Sequence, residues 1–163
     1  MPGEGVNPFL AQFMPLLNPL ALLDSKFWSR AMDPFVYGLD LLPAAASVVT
    51  TGTVQINNDS DFLLCSIAGV FASAADVVNV TPPLFTIQVQ DSGSGRTFYD
   101  RFVHVATVLE LAVTNADIQR QQWFPKLISG GSTLTVALAN LSAVATNIRL
   151  AFKGIKIFPF ARS

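Results

Sequence analysis

Leu84–Asp91 reads LFTIQVQD. Successive side chains of an extended chain point to opposite faces, so Phe85, Ile87 and Val89 fall on one side and Thr86, Gln88 and Gln90 on the other. A run this short and this regular reads as a half-buried β-strand. The DSGSG turn at Asp91–Gly95 feeds a second candidate at Arg96–Val103. Working outward, the same grammar predicts strands at Thr50–Asn57, Asp61–Ala72, Val105–Val113, Trp123–Ile128, Thr133–Ala139 and Asn147–Phe158. In the last, Ile148, Leu150 and Phe152 alternate with Arg149, Ala151 and Lys153, and Gly154 marks a bulge that resets the face before Ile155 and Ile157. Ala112–Gln122 is the exception, a turn of helix or a polar loop. About eight strands separated by turn-forming clusters predict an all-β sandwich or barrel. Their spacing, tight turns alternating with long loops, fits a jelly roll over residues 47–163.

Residues 1–46 follow different rules. Prolines at 2, 8, 15, 19, 34 and 43 interrupt an apolar stretch that carries Phe9, Phe13, Phe27, Trp28, Phe35 and Tyr37. Short helical turns are expected at Pro8–Leu17 and at Asp24–Met32, the second capped by Asp24 or Ser25. A disordered tail would be polar, and this segment is not. It reads as a largely irregular, partly helical N-terminal arm that buries its aromatics, either on a neighbouring chain or back on its own domain. The candidate interface residues are Phe9, Phe13, Leu16, Leu17, Phe27, Trp28, Phe35 and Tyr37. At about 150–250 Å² per aromatic, the six rings supply roughly 900–1,500 Å². A stable interface buries about 1,200–2,000 Å² in total, so the arm alone is of the right size.

Composition limits the function classes. Of 163 residues 51% are hydrophobic and only 13% charged, with a net charge of -1. Ordinary globular chains are about 25% charged, so this one has half the usual solubilising charge and a lone soluble monomer is not expected. Disorder is excluded, and a direct nucleic-acid binder is not expected. Nor is a membrane span: the charge-free stretches Gly5–Leu23, Leu41–Asn58 and Leu127–Ile148 are interrupted by prolines or by a glycine turn with many hydroxyl residues. No basic start marks a signal peptide. Without one, the N-x-S/T triplets at Asn58, Asn79 and Asn140 carry little weight. The acidic residues gather early and the basic ones late, with Arg149, Lys153, Lys156 and Arg162 after the last acid, Asp117. That suits contact between neighbouring subunits and equally two touching strands of one subunit.

Side chains able to do chemistry are scarce. Cys65 is the sole cysteine and His104 the sole histidine, the latter on a strand, where a hydrogen-bonded structural role is the ordinary one. Asp59 and Asp61, two residues apart, suit either turn capping or a hard cation. Asp91 precedes a glycine turn, where aspartate satisfies backbone donors. The DSGSGR loop lacks phosphate-loop spacing. Trp123 or Tyr99 is the candidate platform should the chain bind glycans. Arg149 and Lys153 share a strand face, too sparse a set for a nucleic-acid groove. The expectation is no catalytic residue, no metal and no cofactor.

Four segments carry a resemblance. Asp61-Phe62-Leu63-Leu64, Phe85–Asp91 with Ser94-Gly95-Arg96, Trp123–Ile128 followed by Gly131-Ser132-Thr133-Leu134, and Asn140-Leu141-Ser142 before the Leu150–Phe158 strand resemble small virion structural proteins of tailed bacteriophages. Jelly-roll capsid decoration (cement) proteins are the best-known type. The likeness spans roughly Val48–Phe158 and leaves the arm unmatched. It implies a non-enzymatic part of a particle, made in the host cytoplasm and bound to the capsid surface. Its partners would be the major capsid protein and copies of itself as a dimer or trimer. The alternatives are a carbohydrate-binding jelly roll on a head or tail appendage, or a connector or tail component.

Overall fold

A computed structural model describes residues 31–73, 76–80, 84–111 and 125–159. Ten strands and one short helix follow in order: β1 (Met32–Ala44), β2 (Val49–Gln55), β3 (Asp61–Ser73), β4 (Asp76–Val80), β5 (Phe85–Asp91), β6 (Val103–His104), α1 (Val105–Val108), β7 (Glu110–Leu111), β8 (Lys126–Ile128), β9 (Thr133–Asn140) and β10 (Thr146–Ile157). One sheet runs β1-β10-β3-β4, with β7 and β8 also on β3; the other runs β2-β9-β5-β6. All pairings are antiparallel except β3 with β7.

The pairings nest. β1 pairs with β10, β2 with β9, β3 with β8 and β5 with β6, while β10–β3 and β9–β5 join the pairs within each sheet. A long antiparallel ribbon rolled onto itself produces this order, so the all-β sandwich has jelly-roll topology.

The facing sides of the two sheets form the core. Phe62, Phe71, Phe85 and Phe152 are its largest fully buried side chains, packed with Ile87, Leu134, Val136 and Leu138. The alternation expected for β5, β9 and the first half of β10 holds: Phe85, Ile87, Val89, Leu134, Val136, Leu138, Ile148, Leu150 and Phe152 all lie in this cluster.

Four expectations are corrected. Residues 32–44, read from sequence as part of an irregular arm, form edge strand β1, with Met32 opposite Ile157 and Ala44 opposite Thr146. Tyr37, Leu39 and Leu41 pack into the core while Val36, Gly38 and Asp40 point away. Proline is tolerated because, among the described residues, β1 has no second neighbour to which it must donate, and the register shifts between Leu41 and Ala44, where Pro43 lies.

Arg96–Val103 is mostly turn, tied to β5 by a bridge between Gln90 and Thr97. Val105–Val113 opens as α1 rather than a strand. His104 caps this helix: its Nδ1 accepts the Ala106 N–H at 3.2 Å, and its carbonyl accepts from the Thr107 hydroxyl at 2.6 Å.

The expected bulge is present, but its extra residue is on the partner strand. Lys153 pairs with Ser66 and Gly154 with Leu64, so Cys65 faces no residue of β10. The core face of β3 therefore steps from Leu64 to Ile67, whereas β10 keeps its parity and presents Lys156 opposite Phe62.

Gly154 is required by crowding. A Cβ there would collide with the Leu63 carbonyl oxygen and lie 2.7 Å from the Phe62 ring. Gly154→Ala is expected to cost about 1–3 kcal/mol, read from the urea midpoint. An unchanged midpoint would show that the β3–β10 approach is looser than described.

Cys65 is buried, and desolvation pushes its thiol pKa up to about 11. Its alkylation at neutral pH is expected to be at least about 100-fold slower than that of an exposed thiol, and to become fast only in denaturant. Rapid labelling of the folded protein would contradict this burial. No helix among the described residues is long and apolar enough to cross a membrane.

Candidate interaction surface

Loops gather at the two ends of the sandwich. At one end, the connection between β1 and β2, the residue preceding β5 and the connection between β9 and β10 come together. The Leu141 N–H donates to the Leu84 carbonyl at 2.8 Å, the Asn140 N–H to the Val48 carbonyl at 3.0 Å, and the Ser47 N–H to the Ser142 carbonyl at 3.1 Å.

Asn140, itself buried, ties the group together. Its Nδ2 donates to the carbonyls of Ala45 (3.2 Å) and Val144 (3.0 Å), and its Oδ1 accepts the Ser142 N–H at 2.9 Å. Ser47 is held at φ 55, a left-handed conformation that few non-glycine residues adopt. The buried, fully engaged amide of Asn140 also removes that triplet as an accessible glycan acceptor.

This braced end is apolar outside. Val48, Val49, Leu84, Leu141 and Val144 are each between 51% and 59% exposed. None of Ala45–Val49, Leu84 or Leu141–Ala145 is charged. Five large aliphatic side chains at half exposure make up roughly 400–500 Å² of apolar surface at this end, the size at which such patches are commonly functional. The sequence conceals this surface, because residues 48 and 141 fall just outside predicted strands and Leu84 at the start of one, far apart along the chain until the topology gathers them.

The opposite end contains the two sequence-proposed interface residues that fall among the described ones, Phe35 and Tyr37. Their ring centroids are 4.7 Å apart, and Tyr37 meets Phe62 edge-on at 4.9 Å. Tyr37 is buried, with its hydroxyl accepting the Asn57 N–H at 3.2 Å, so it belongs to the subunit's own core and not to a partner contact. Phe35 is 36% exposed. Lys156 Nζ lies 4.2 Å from the centre of the Phe35 ring and 5.8 Å from that of Tyr37, a cation–π arrangement. Phe9, Phe13, Leu16, Leu17, Phe27, Trp28 and Trp123 lie outside the described residues, as does the helical turn expected at Pro8–Leu17; of the one expected at Asp24–Met32 only Ala31 and Met32 are described, and Met32 belongs to strand β1.

Lys156 is buried and extends 3.5 Å to Asp59 Oδ1. Asp59 also accepts the Ser60 hydroxyl at 2.8 Å. That hydrogen bond first, then the charge and hydrogen bond of Lys156, hold the Asp59 carboxyl below its ordinary value of 3.8 against an opposing desolvation. Its folded pKa is therefore depressed. Its contribution to stability is present above pH 3.8 and is lost as pH falls through the folded value. Asp59→Asn is expected to flatten the acid limb of the stability–pH curve below that point; an unchanged limb would place the acid-sensitive group elsewhere.

Asp61 Oδ1 accepts the Gly130 N–H at 3.0 Å. The two carboxylates considered as cation ligands thus each have protein partners, on the rim of a shallow hollow of about 230 Å³ lined by Asn58, Ser60, Ser129 and Pro159. Among the described residues no group of three or more His, Cys, Asp or Glu side chains converges.

Asp91 caps its turn as expected, accepting from the Gly93 and Ser94 N–H groups at 2.9 and 3.2 Å and from the Ser94 hydroxyl at 2.7 Å. Tyr99 packs half-buried against the core. Asp40 and Arg149 face each other in register with 3.9 Å between their charged groups. At this point the early acids and late bases of the chain meet as neighbouring strands of one subunit.

No family model and no curated protein matches the chain. Among solved structures, a chain of the cyanophage Pam1 capsid asymmetric unit is similar at a TM-score of 0.45 and 16% identity, over 81% of this chain and 88% of that one. A likeness of that strength assigns no role. The class defined by strand order and register is a jelly-roll β-sandwich with a braced apolar end.

Proposed function

We propose that the chain is a non-enzymatic virion structural protein: a decoration (cement) subunit that binds across neighbouring subunits of a capsid and is held there by its N-terminal leader. The observation that carries this reading is the leader's composition and its point of attachment. Residues 1–23 hold one charge, Glu4, with Phe9, Phe13 and many leucines. They lead through a short charged stretch, Asp24–Arg30, into edge strand β1.

An apolar leader on a rigid sandwich suits the closing of joints between repeated subunits, where a modest contact is multiplied by repetition. The low overall charge and the resemblance of residues 48–158 to phage virion proteins support the same reading. The subunit supplies surface and rigidity, and its partners are a capsid protein and copies of itself.

Density-gradient banding of particles from cells producing the virion tests this. The chain is expected to co-migrate with particles in many copies per particle and to be released as a folded subunit. A chain that stays with the soluble proteins at the top of the gradient would overturn the proposal.

A further inference from the structure

We infer that the braced apolar end, built by Val48, Val49, Leu84, Leu141 and Val144, is the seat for the uncharged leader, residues 5–23, of a neighbouring copy, so that copies join head to tail. This rests on the structural-subunit reading and specifies where the joint lies. Three observations select this occupant.

The first is chemical match. None of the five side chains that form the seat is charged and Gly5–Leu23 holds no charge either, so the contact joins two uncharged surfaces; Asp76 is the charged residue that the β10–β3–β4 register brings to the same end.

The second is size. A rigid subunit face needs about 800 Å² per partner for a standard interface. The seat offers roughly 400–500 Å², which suits a chain segment bearing anchors such as Phe9 and Phe13 rather than a second sandwich wall.

The third is where the leader starts. Phe158 donates its N–H to the Ala31 carbonyl and Met32 pairs with Ile157, whereas Ala44 pairs with Thr146 and the Ala45 carbonyl accepts from Asn140. The leader therefore joins the sandwich at the end opposite the seat, the two being separated by the length of β1, 13 residues or roughly 40 Å. To reach its own seat, the leader would have to run back along the whole subunit. A copy stacked at the Ala31 end presents its seat beside the leader's root. A heterologous contact of this kind repeats along a ring or an array, as a shell component requires.

Paired cysteines in the full chain provide the test. The double variant Phe13→Cys/Val144→Cys, mildly oxidised, is expected to give a ladder of disulfide-linked dimers, trimers and higher species on a non-reducing gel. Buried Cys65 contributes nothing to that ladder. A monomer closed by an internal disulfide would mean that the leader seats on its own subunit and overturns the inference; absence of any cross-link overturns it when the Leu141→Asp/Val144→Asp variant also associates normally.

A second variant guards against poor cysteine geometry. Leu141→Asp/Val144→Asp changes only exposed side chains, and it is expected to weaken self-association at least tenfold with unchanged thermal unfolding. If removing residues 1–30 abolishes association while this double aspartate variant associates normally, the seat is wrong and the structural-subunit reading stands. If both proteins associate like the full chain, the leader is not the joint and the reading beneath it fails too.

Discussion

A chain lacking residues 1–30 is expected to fold, whereas a chain lacking residues 1–42 is expected to be insoluble or unfolded. The twelve additional residues are most of β1, and their removal takes Tyr37, Leu39 and Leu41 from the core. Each such side chain is worth about 1.5–3 kcal/mol when buried. The truncation also leaves the long edge of β10 unpaired from Met32's partner, Ile157, to Leu41's partner, Ile148. An exposed, unprotected strand edge invites pairing with other chains. Together these losses match the about 5–15 kcal/mol that holds a typical domain folded. Circular dichroism and urea unfolding of the two truncations decide the point. A shorter protein, lacking residues 1–42, that unfolds cooperatively would mean that β1 is peripheral to the fold.

Phe152→Ala is expected to be the most damaging single substitution in β10, at about 3–5 kcal/mol. Its ring is fully buried and lies between Tyr37 of β1 and Ile67 of β3 in register. Neighbours on both strands are fixed by their own pairing, so they cannot collapse into the space left behind, and the cavity cost adds to the lost burial. The urea midpoint should fall accordingly, with the slope little changed. A loss under about 1 kcal/mol would show that the two sheets can close over the gap.

The parts of the fold legible in the sequence are those with an unbroken period of two. β5, β9 and the first half of β10 each bury one face and expose the other, and their inward residues are the ones the alternation names. β1 alternates as well, but Pro34 and Pro43 obscured it, because proline argues against a strand unless the strand is known to be an edge. That knowledge is topological. The bulge at Gly154 was visible as a glycine in a strand, yet a bulge belongs to a pair of strands. Nothing in β10 alone says that the unpaired residue is Cys65 of β3, or that Lys156 consequently stays on the inner face among Phe35, Tyr37 and Asp59.

The candidate surface was legible in kind but not in place. A chain with 13% charged residues needs cover, and the sequence assigned that role to a set of early aromatics. Of these, Tyr37 is core. The apolar end facing outward is instead assembled from residues 48, 49, 84, 141 and 144, which lie far apart along the chain and are brought together by the nested strand order. His104 and Asp91 took the bland roles open to them, a helix cap and a turn cap, because each had nearby backbone donors to satisfy.

The central claim is that residues 1–30 make the joint between subunits. Sedimentation equilibrium of the full chain beside the chain lacking those residues tests it most directly. The full chain is expected to associate well above its 17.5 kDa subunit mass, and the truncated one to remain a folded single subunit at every concentration. A full chain that sediments as one subunit, or a truncated chain that associates equally well, would contradict the account.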